Sequence, residues 1–189
     1  LNSTSGNSND DLEAFLGVSS TAIDNITNGN PTNGSALKTT LTLNAGDTVQ
    51  FNWAFATSDY VPYYDNSFFL TLNGGLQQLA DVGTVGSYGN SGWQTQSFTV
   101  TAGGVYDVGF GVVNEGDSGV NSVLSIDNIE ITESNFGFEY GDFTGWQTIG
   151  SASVVAGGAP DGNFYAALNS TSGNSNDDLE AFLGVGSTA

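Results

Sequence analysis

The chain has no cysteine, no methionine, no histidine and no arginine, and Lys38 is its only basic side chain. Without cysteine there is no disulfide framework, no zinc–thiolate site and no thiol nucleophile. Without His, Cys or Arg the usual nucleophile–base pairs and cationic oxyanion stabilisers are missing, and the plentiful Ser and Thr have no evident base. The sequence therefore reads as that of a non-enzyme. A chain free of sulfur also has no easily oxidised atom, which suits an exposed extracellular material. With 3 prolines it is not a proline-rich linker, and no apolar run is long enough to span a membrane.

Against that one lysine stand 20 acidic residues, for a net charge of −19. Such a charge argues against nucleic acid or an anionic membrane surface as a partner. Only 11% of residues are charged, so this is not the densely charged surface of a halophile. Local carboxylate clusters neutralised by divalent cations fit better, and calcium is the natural ion because it takes oxygen ligands from Asp, Glu, Asn and carbonyls. The simpler alternative is acidic turn residues that serve solubility. With 3 Trp, 7 Tyr, 12 Phe and 38% apolar residues, the 189-residue chain has enough material for a single packed core.

Residues 1–22 read LNSTSGNSNDDLEAFLGVSSTA and residues 168–189 read LNSTSGNSNDDLEAFLGVGSTA, differing only at Ser19 against Gly186. Near-identity over such a stretch implies slightly more than one period of a tandem array, with a period of 167 residues. A module recopied in this way more often spans, binds or assembles than catalyses.

Strand signals dominate between the repeats. They fall at 12–18 (LEAFLGV), 36–43, 48–56, 67–72, 93–100, 105–113, 120–132, 143–149, 152–155 and 163–168. Turn signals separate them, among them Asn28-Gly29, Asn33-Gly34 and Asn73-Gly74-Gly75. About ten short strands spaced by turns predict an all-β, two-sheet β-sandwich of jelly-roll type. Trp53, Phe55, Phe69, Phe98, Phe110, Leu124 and Ile126 are its expected core. The best helix candidate, 10–17, is closed early by Gly and Val, and the apolar run favours a strand there.

Two motifs carry a resemblance. SNFGFEYGDFTGW (134–146) resembles the opening of many secreted bacterial sandwich modules, and the preceding SIDNIEIT resembles their closing strand. The pattern is similar to tandem-repeat β-sandwich modules of large extracellular surface proteins from cyanobacteria and related bacteria. It also looks distantly like the jelly-roll carbohydrate-binding modules. That register implies a module starting near Ser134 and ending near Glu133. Residues 1–133 are then the back of one module and 134–189 the front of the next. The resemblance further implies an extracellular, cell-surface location and a structural calcium ion joining first and last strands, with Asp127 and Glu139 at the matching positions.

Three acidic clusters are candidate calcium ligands: Asp127 with Asn128, Glu139 and Asp142; Asp59, Asp65 and Asn66 with Glu115, Asp117 and Asn121; and the NDD of the two NSNDD segments, at Asn9–Asp11 and Asn176–Asp178. The same residue types also make Asx-turns and caps. Tyr60, Tyr63, Tyr64 and Trp93, with Tyr88, lie in or beside loops, where they can stack on sugars or pad a subunit interface. LEAFLGV, with Leu12, Phe15 and Leu16 and again Leu179, Phe182 and Leu183, is expected as an assembly strand. The favoured reading is a structural repeat of a surface fibre, sheath or adhesin whose partner is another copy of itself, joined head to tail. The alternative is a carbohydrate-binding module that anchors cells to polysaccharide. A glycan-acting enzyme ranks last, because twenty acids make chance carboxylate pairs common.

Overall fold

The computed structural model describes residues 1–4, 6–170 and 173–186. Its elements in chain order are β1 (Asn7–Ser8), α1 (Asn9–Leu16), β2 (Pro31–Leu43), β3 (Thr48–Thr57), β4 (Asn66–Leu70), β5 (Leu76–Asp81), α2 (Val82–Val85), β6 (Gln94–Thr99), β7 (Gly104–Glu115), β8 (Ser122–Thr132), β9 (Ser151–Ala156), β10 (Phe164–Asn169) and α3 (Asn176–Leu183). They form two compact units. The first contains Leu1–Leu43, Thr48–Phe98 and Gly104–Thr132; the second contains Asn44–Asp47, Thr99–Gly103 and Glu133–Ala189.

The first unit is an all-β sandwich of two antiparallel sheets packed on each other, with strand orders β1-β2-β7-β4-β5 and β6-β3-β8. Its core follows from period-two alternation. In β3 the buried positions Val49, Phe51, Trp53 and Phe55 alternate with half-exposed Thr48, Gln50, Asn52 and Ala54. Phe51 meets Phe69 and Phe110 edge to face, with centroids 5.4 and 4.8 Å apart, and Val108, Val112 and Leu124 close the cluster. The expected core residues Trp53, Phe55, Phe69, Phe110 and Leu124 are buried, and Phe98 and Ile126 are partly buried at its margin.

The five-stranded sheet is covered on its other face too. Leu12 and Leu16 of α1 pack with Ile23, Phe68 and Val113 in a second buried cluster. Small residues in β7 make this possible. A Cβ on Gly111 would overlap the Phe68 ring, and one on Gly109 would lie 3.0 Å from the Leu16 side chain.

The segment expected as an assembly strand is a helix in both copies. Ser8 caps α1 through a bond from the Asp11 N–H (3.2 Å), and Gly17 ends it at φ 77° with its N–H on the Glu13 carbonyl. Ser175 and Asp178 form a reciprocal capping box on α3, which ends at Gly184, φ 68°. These caps, together with Leu12, Phe15 and Leu16 at helical spacing, overrule the run of apolar residues. Leu12, Phe15, Leu16, Leu179, Phe182 and Leu183 therefore sit on helices rather than on a strand.

The second unit is organised by turns and the β9–β10 hairpin, paired from Phe164↔Ala156 to Asn169↔Ser151. Residues 143–149, expected as a strand, are instead a turn at 144–145 flanked by irregular chain. The Asn135 amide holds this turn: its Nδ2 donates to the carbonyls of Asp142 (3.1 Å) and Thr144 (3.0 Å), and its Oδ1 accepts the Tyr140 N–H. The Trp146 indole N–H closes the knot on the Asn135 carbonyl at 2.9 Å.

Candidate functional site

Two features stand out from the fold, one in each unit. In the first unit, three acidic side chains are buried where the β3–β4, β5–β6 and β7–β8 connections meet. Asp65 precedes β4. Its Oδ1 accepts the Glu115 N–H (3.0 Å), and its Oδ2 accepts the Ser122 hydroxyl (2.6 Å), which also bonds Thr57 at 2.8 Å. Burial pushes its pKa up to about 6, against the lowering effect of those bonds, and Asp59 and Asp117 push the same way. Burial also raises Asp59 and Glu115; Asp117 adds to the first, and Asp81 and Asp65 to the second. Asp59 Oδ2, Glu115 Oε2 and Asn66 Oδ1 are buried with no hydrogen-bond partner among the described residues. A carboxylate held that way is costly when charged.

Over this end lies an exposed aromatic cluster. Tyr60 packs edge to face on Tyr63 (5.5 Å) and beside Tyr88 (5.7 Å), and the Tyr88 N–H donates to the Asp59 carbonyl at 2.7 Å. Tyr60 and Tyr88 are exposed and Tyr63 is half-buried. Tyr64 is half-buried, with its ring against Gly83, and Trp93 is exposed just before β6. Tyr60 and Tyr63 are thus brought together, whereas Tyr64 and Trp93 are not part of the stack.

The other predicted ligands are engaged locally. Asp117 Oδ1 accepts the Gly119 N–H at 2.9 Å, and Asn121 accepts the Thr4 hydroxyl. Asp127 is exposed on β8 and bonds the N–H of its neighbour Asn128. Glu139 and Asp142 belong to the other unit. The Glu139 oxygens receive the Asn163 and Phe164 N–H groups at 2.8 and 3.3 Å, clamping the start of β10. Asp142 Oδ1 accepts the Thr144 N–H, a bond that holds its carboxyl below the usual range. Asn9–Asp11 and Asn176–Asp178 open the two helices, as described above. Among the described residues no group of three or more His, Cys, Asp or Glu side chains is arranged to hold a metal ion. Asp59 and Glu115 each offer hard oxygens of the kind calcium takes, but they are not gathered into one ligand group among the described residues. Asp65 already spends both oxygens within the protein.

The feature of the second unit is an apolar groove of about 350 Å³, lined by Phe138, Phe143, Trp146, Leu168, Leu179 and Phe182 among others. Phe138 stacks on Trp146 at 5.1 Å. The aromatic density of GFEYGDFTGW is the signal for it, although the sequence alone marks that stretch only as a module-opening motif with a strand from 143. Lys38, the one cation, is engaged: its ammonium pairs with Asp107 at 3.1 Å and lies 5.7 Å from the centroid of the Phe15 ring. No helix among the described residues is long and apolar enough to cross a membrane. No protein-family model matches the chain, and no curated protein matches it; the functional reading rests on the geometry above.

Proposed function

We propose that this chain is a structural repeat unit of an extracellular surface fibre, sheath or adhesin, joined head to tail to further copies of itself and stiffened by calcium. One observation carries the reading. The same octapeptide, NDDLEAFL, forms a capped helix twice, but only one copy is buried. Leu12 and Leu16 are 4% and 2% exposed, whereas their counterparts Leu179 and Leu183 are 39% and 67% exposed. With Phe182 and Leu168 they leave an apolar surface that a second copy can cover. A contact between unlike ends does not close on itself unless its rotation makes a ring, so a fibre is the default product. Calcium is supported by the buried, unpartnered oxygens of Asp59 and Glu115. Deleting residues 168–189 tests the assembly reading. Sedimentation velocity and electron microscopy should show the full chain associating and the truncated chain remaining monomeric; equal assembly by both would remove it.

The exposed Tyr60–Tyr63–Tyr88 cluster favours a second reading, a carbohydrate-binding module for cell-surface polysaccharide. Polysaccharide pull-down with and without Ca²⁺ separates the two. A sugar ligand, with no self-association at high concentration, would put the second reading first.

A further inference from the structure

Residues 1–3 pair with β8. Leu1 and Leu124 exchange backbone hydrogen bonds: the Leu1 nitrogen donates to the Leu124 carbonyl at 2.9 Å, and the Leu124 N–H donates to the Leu1 carbonyl at 3.2 Å. Asn2 bridges Val123, and the Ser3 N–H donates to the Ser122 carbonyl at 3.0 Å. Leu1 also packs on the sandwich core. A stub of antiparallel strand therefore lies along the outer side of β8, the terminal strand of its sheet among the described residues. Beyond the stub, residues 127–132 of β8 are exposed, Ile129 and Ile131 included.

The stub is a copy of the end of β10: Leu1-Asn2-Ser3 repeats Leu168-Asn169-Ser170. In an array, the residue before Leu1 is the equivalent of Ala167, so the missing part of that strand is the rest of β10. We propose that the β9–β10 hairpin of the preceding repeat docks on β8 by strand addition, in the register Leu168↔Leu124, Ala167↔Ser125, Ala166↔Ile126. The proposal rests on the array reading above and specifies its joint. Each complete sandwich is then built from residues 134–167 of one repeat and the residues from Leu1 onward of the next.

Two features of the hairpin, independent of the stub, agree with this register. The first is hydrogen-bond parity. The Gly157 N–H donates to the Asn163 carbonyl, so 163, 165, 167 and 169 turn their backbone groups toward β9. Phe164, Ala166 and Leu168 turn theirs to the other edge. Phe164 spends its N–H there on Glu139, which leaves Ala166 and Leu168 facing outward, as the stub requires of residue 168. The second is facial parity. Leu124 is buried in the core and Ile126 packs against it. Their proposed partners Leu168 and Ala166 lie on the hairpin face that lines the apolar groove. Leu168 is 81% exposed, while its twin Leu1 is partly buried on the core. A one-residue slip would break both agreements at once.

The chain lacks cysteine, which makes a direct test clean. The full chain is extended by placing a second copy of residues 134–167 before Leu1, with Ala167→Cys in the added copy and Ser125→Cys in the body. This pair is non-hydrogen-bonded in the proposed register, where Cα atoms lie ~4.5 Å apart, within disulfide reach. Mild oxidation should link them in most molecules, and the control pair Ala166→Cys with Ser125→Cys, on opposite faces, should not link. Linking in the control but not in the first pair, or in neither, overturns the register. Should the cysteine variants fold poorly, the cysteine-free extended chain decides by hydrogen exchange. Protection of the Ile126 amide should rise at least tenfold over the unextended chain, and unchanged protection overturns the proposal. Fibres formed by the full chain without this joint would leave the array reading standing and remove the inference. The joint without fibres would do the reverse.

Discussion

The two copies of LNSTSGNSNDDLEAFLGV are an experiment the molecule performs on itself: one sequence in two environments. Both fold to the same eight-residue helix, because both carry the same cap at Ser8 or Ser175 and the same left-handed glycine at Gly17 or Gly184. Local chemistry settles the secondary structure. Everything beyond it differs. In α1, Leu12 and Leu16 pack with Ile23, Phe68 and Val113, Leu16 lies against Gly109, Glu13 is 1% exposed, and its Oε1 accepts the Ile23 N–H at 2.9 Å. In α3 the equivalent Glu180 turns to Asn176 of its own helix at 2.9 Å, and the leucines face an open groove. A helix this short is marginal alone, so its stability comes from what it packs against.

Truncating the matched leucines breaks the comparison most sharply. Leu16→Ala should lower unfolding stability by about 2–5 kcal/mol. Leu183→Ala should change it by less than about 0.5 kcal/mol in dilute monomer, as for an exposed position. Paired urea titrations read both values, and equal losses would show that the two helices share one environment.

Next in size is Gly111→Ala. The added methyl meets the Phe68 ring beneath α1, so a loss of about 1–3 kcal/mol is expected from overpacking. The same change at Gly157, φ 81° with open space at its Cβ, should cost less and through backbone strain alone.

The acidic end of the sandwich gives a pH signature opposite in sign to that of the hairpin unit, where hydrogen bonds hold Asp142 and Asp178 below the usual carboxylate range. The folded-state pKa of Asp65 is raised to about 6 from 3.8. A raised carboxyl favours the folded state once protonated, so its penalty is full above pH ~6 and fades as pH falls toward ~4. The melting temperature of metal-free protein should therefore rise on acidification across that window, and Asp65→Asn should flatten much of the rise. Calcium, which favours the charged form, should raise the melting temperature most at the high-pH end, and EDTA should reverse it. No response to either would exclude the metal. The smallest effect is expected at the caps: Ser8→Ala should cost about 1 kcal/mol globally, while Ser175→Ala should only speed local exchange in α3.

Much of the sandwich was legible because its signal is periodic. TVQFNWAFA alternates cleanly, and every second side chain of β3 is buried as that pattern demands. The helices were misread for a physical reason. LEAFLGV is apolar enough to pass as a strand, and the signal against that lies three residues apart in Ser8 and Asp11, a capping spacing rather than a hydrophobic one. The β5 strand LQQLAD lacks β-branched and aromatic residues and gave no signal; its pairing with β4 defines it. Asp59, Asp65 and Glu115 could be proposed from the loops that carry them. Their burial could not, since it depends on Ser122 and Thr57 arriving from distant strands. The turn at 144–145 hangs on one amide, Asn135, which no local pattern announces.

The central claim is that one copy of the repeated segment belongs to the core and the other is a connector awaiting its partner. Residue-resolved amide exchange by NMR, on α1 and α3 in the same molecule at rising concentration, tests it most directly. The account predicts strong, concentration-independent protection in α1, and protection in α3 that is weak in dilute solution and grows with assembly. Protection of α3 equal to that of α1 in dilute solution, and unchanged on concentration, would contradict it.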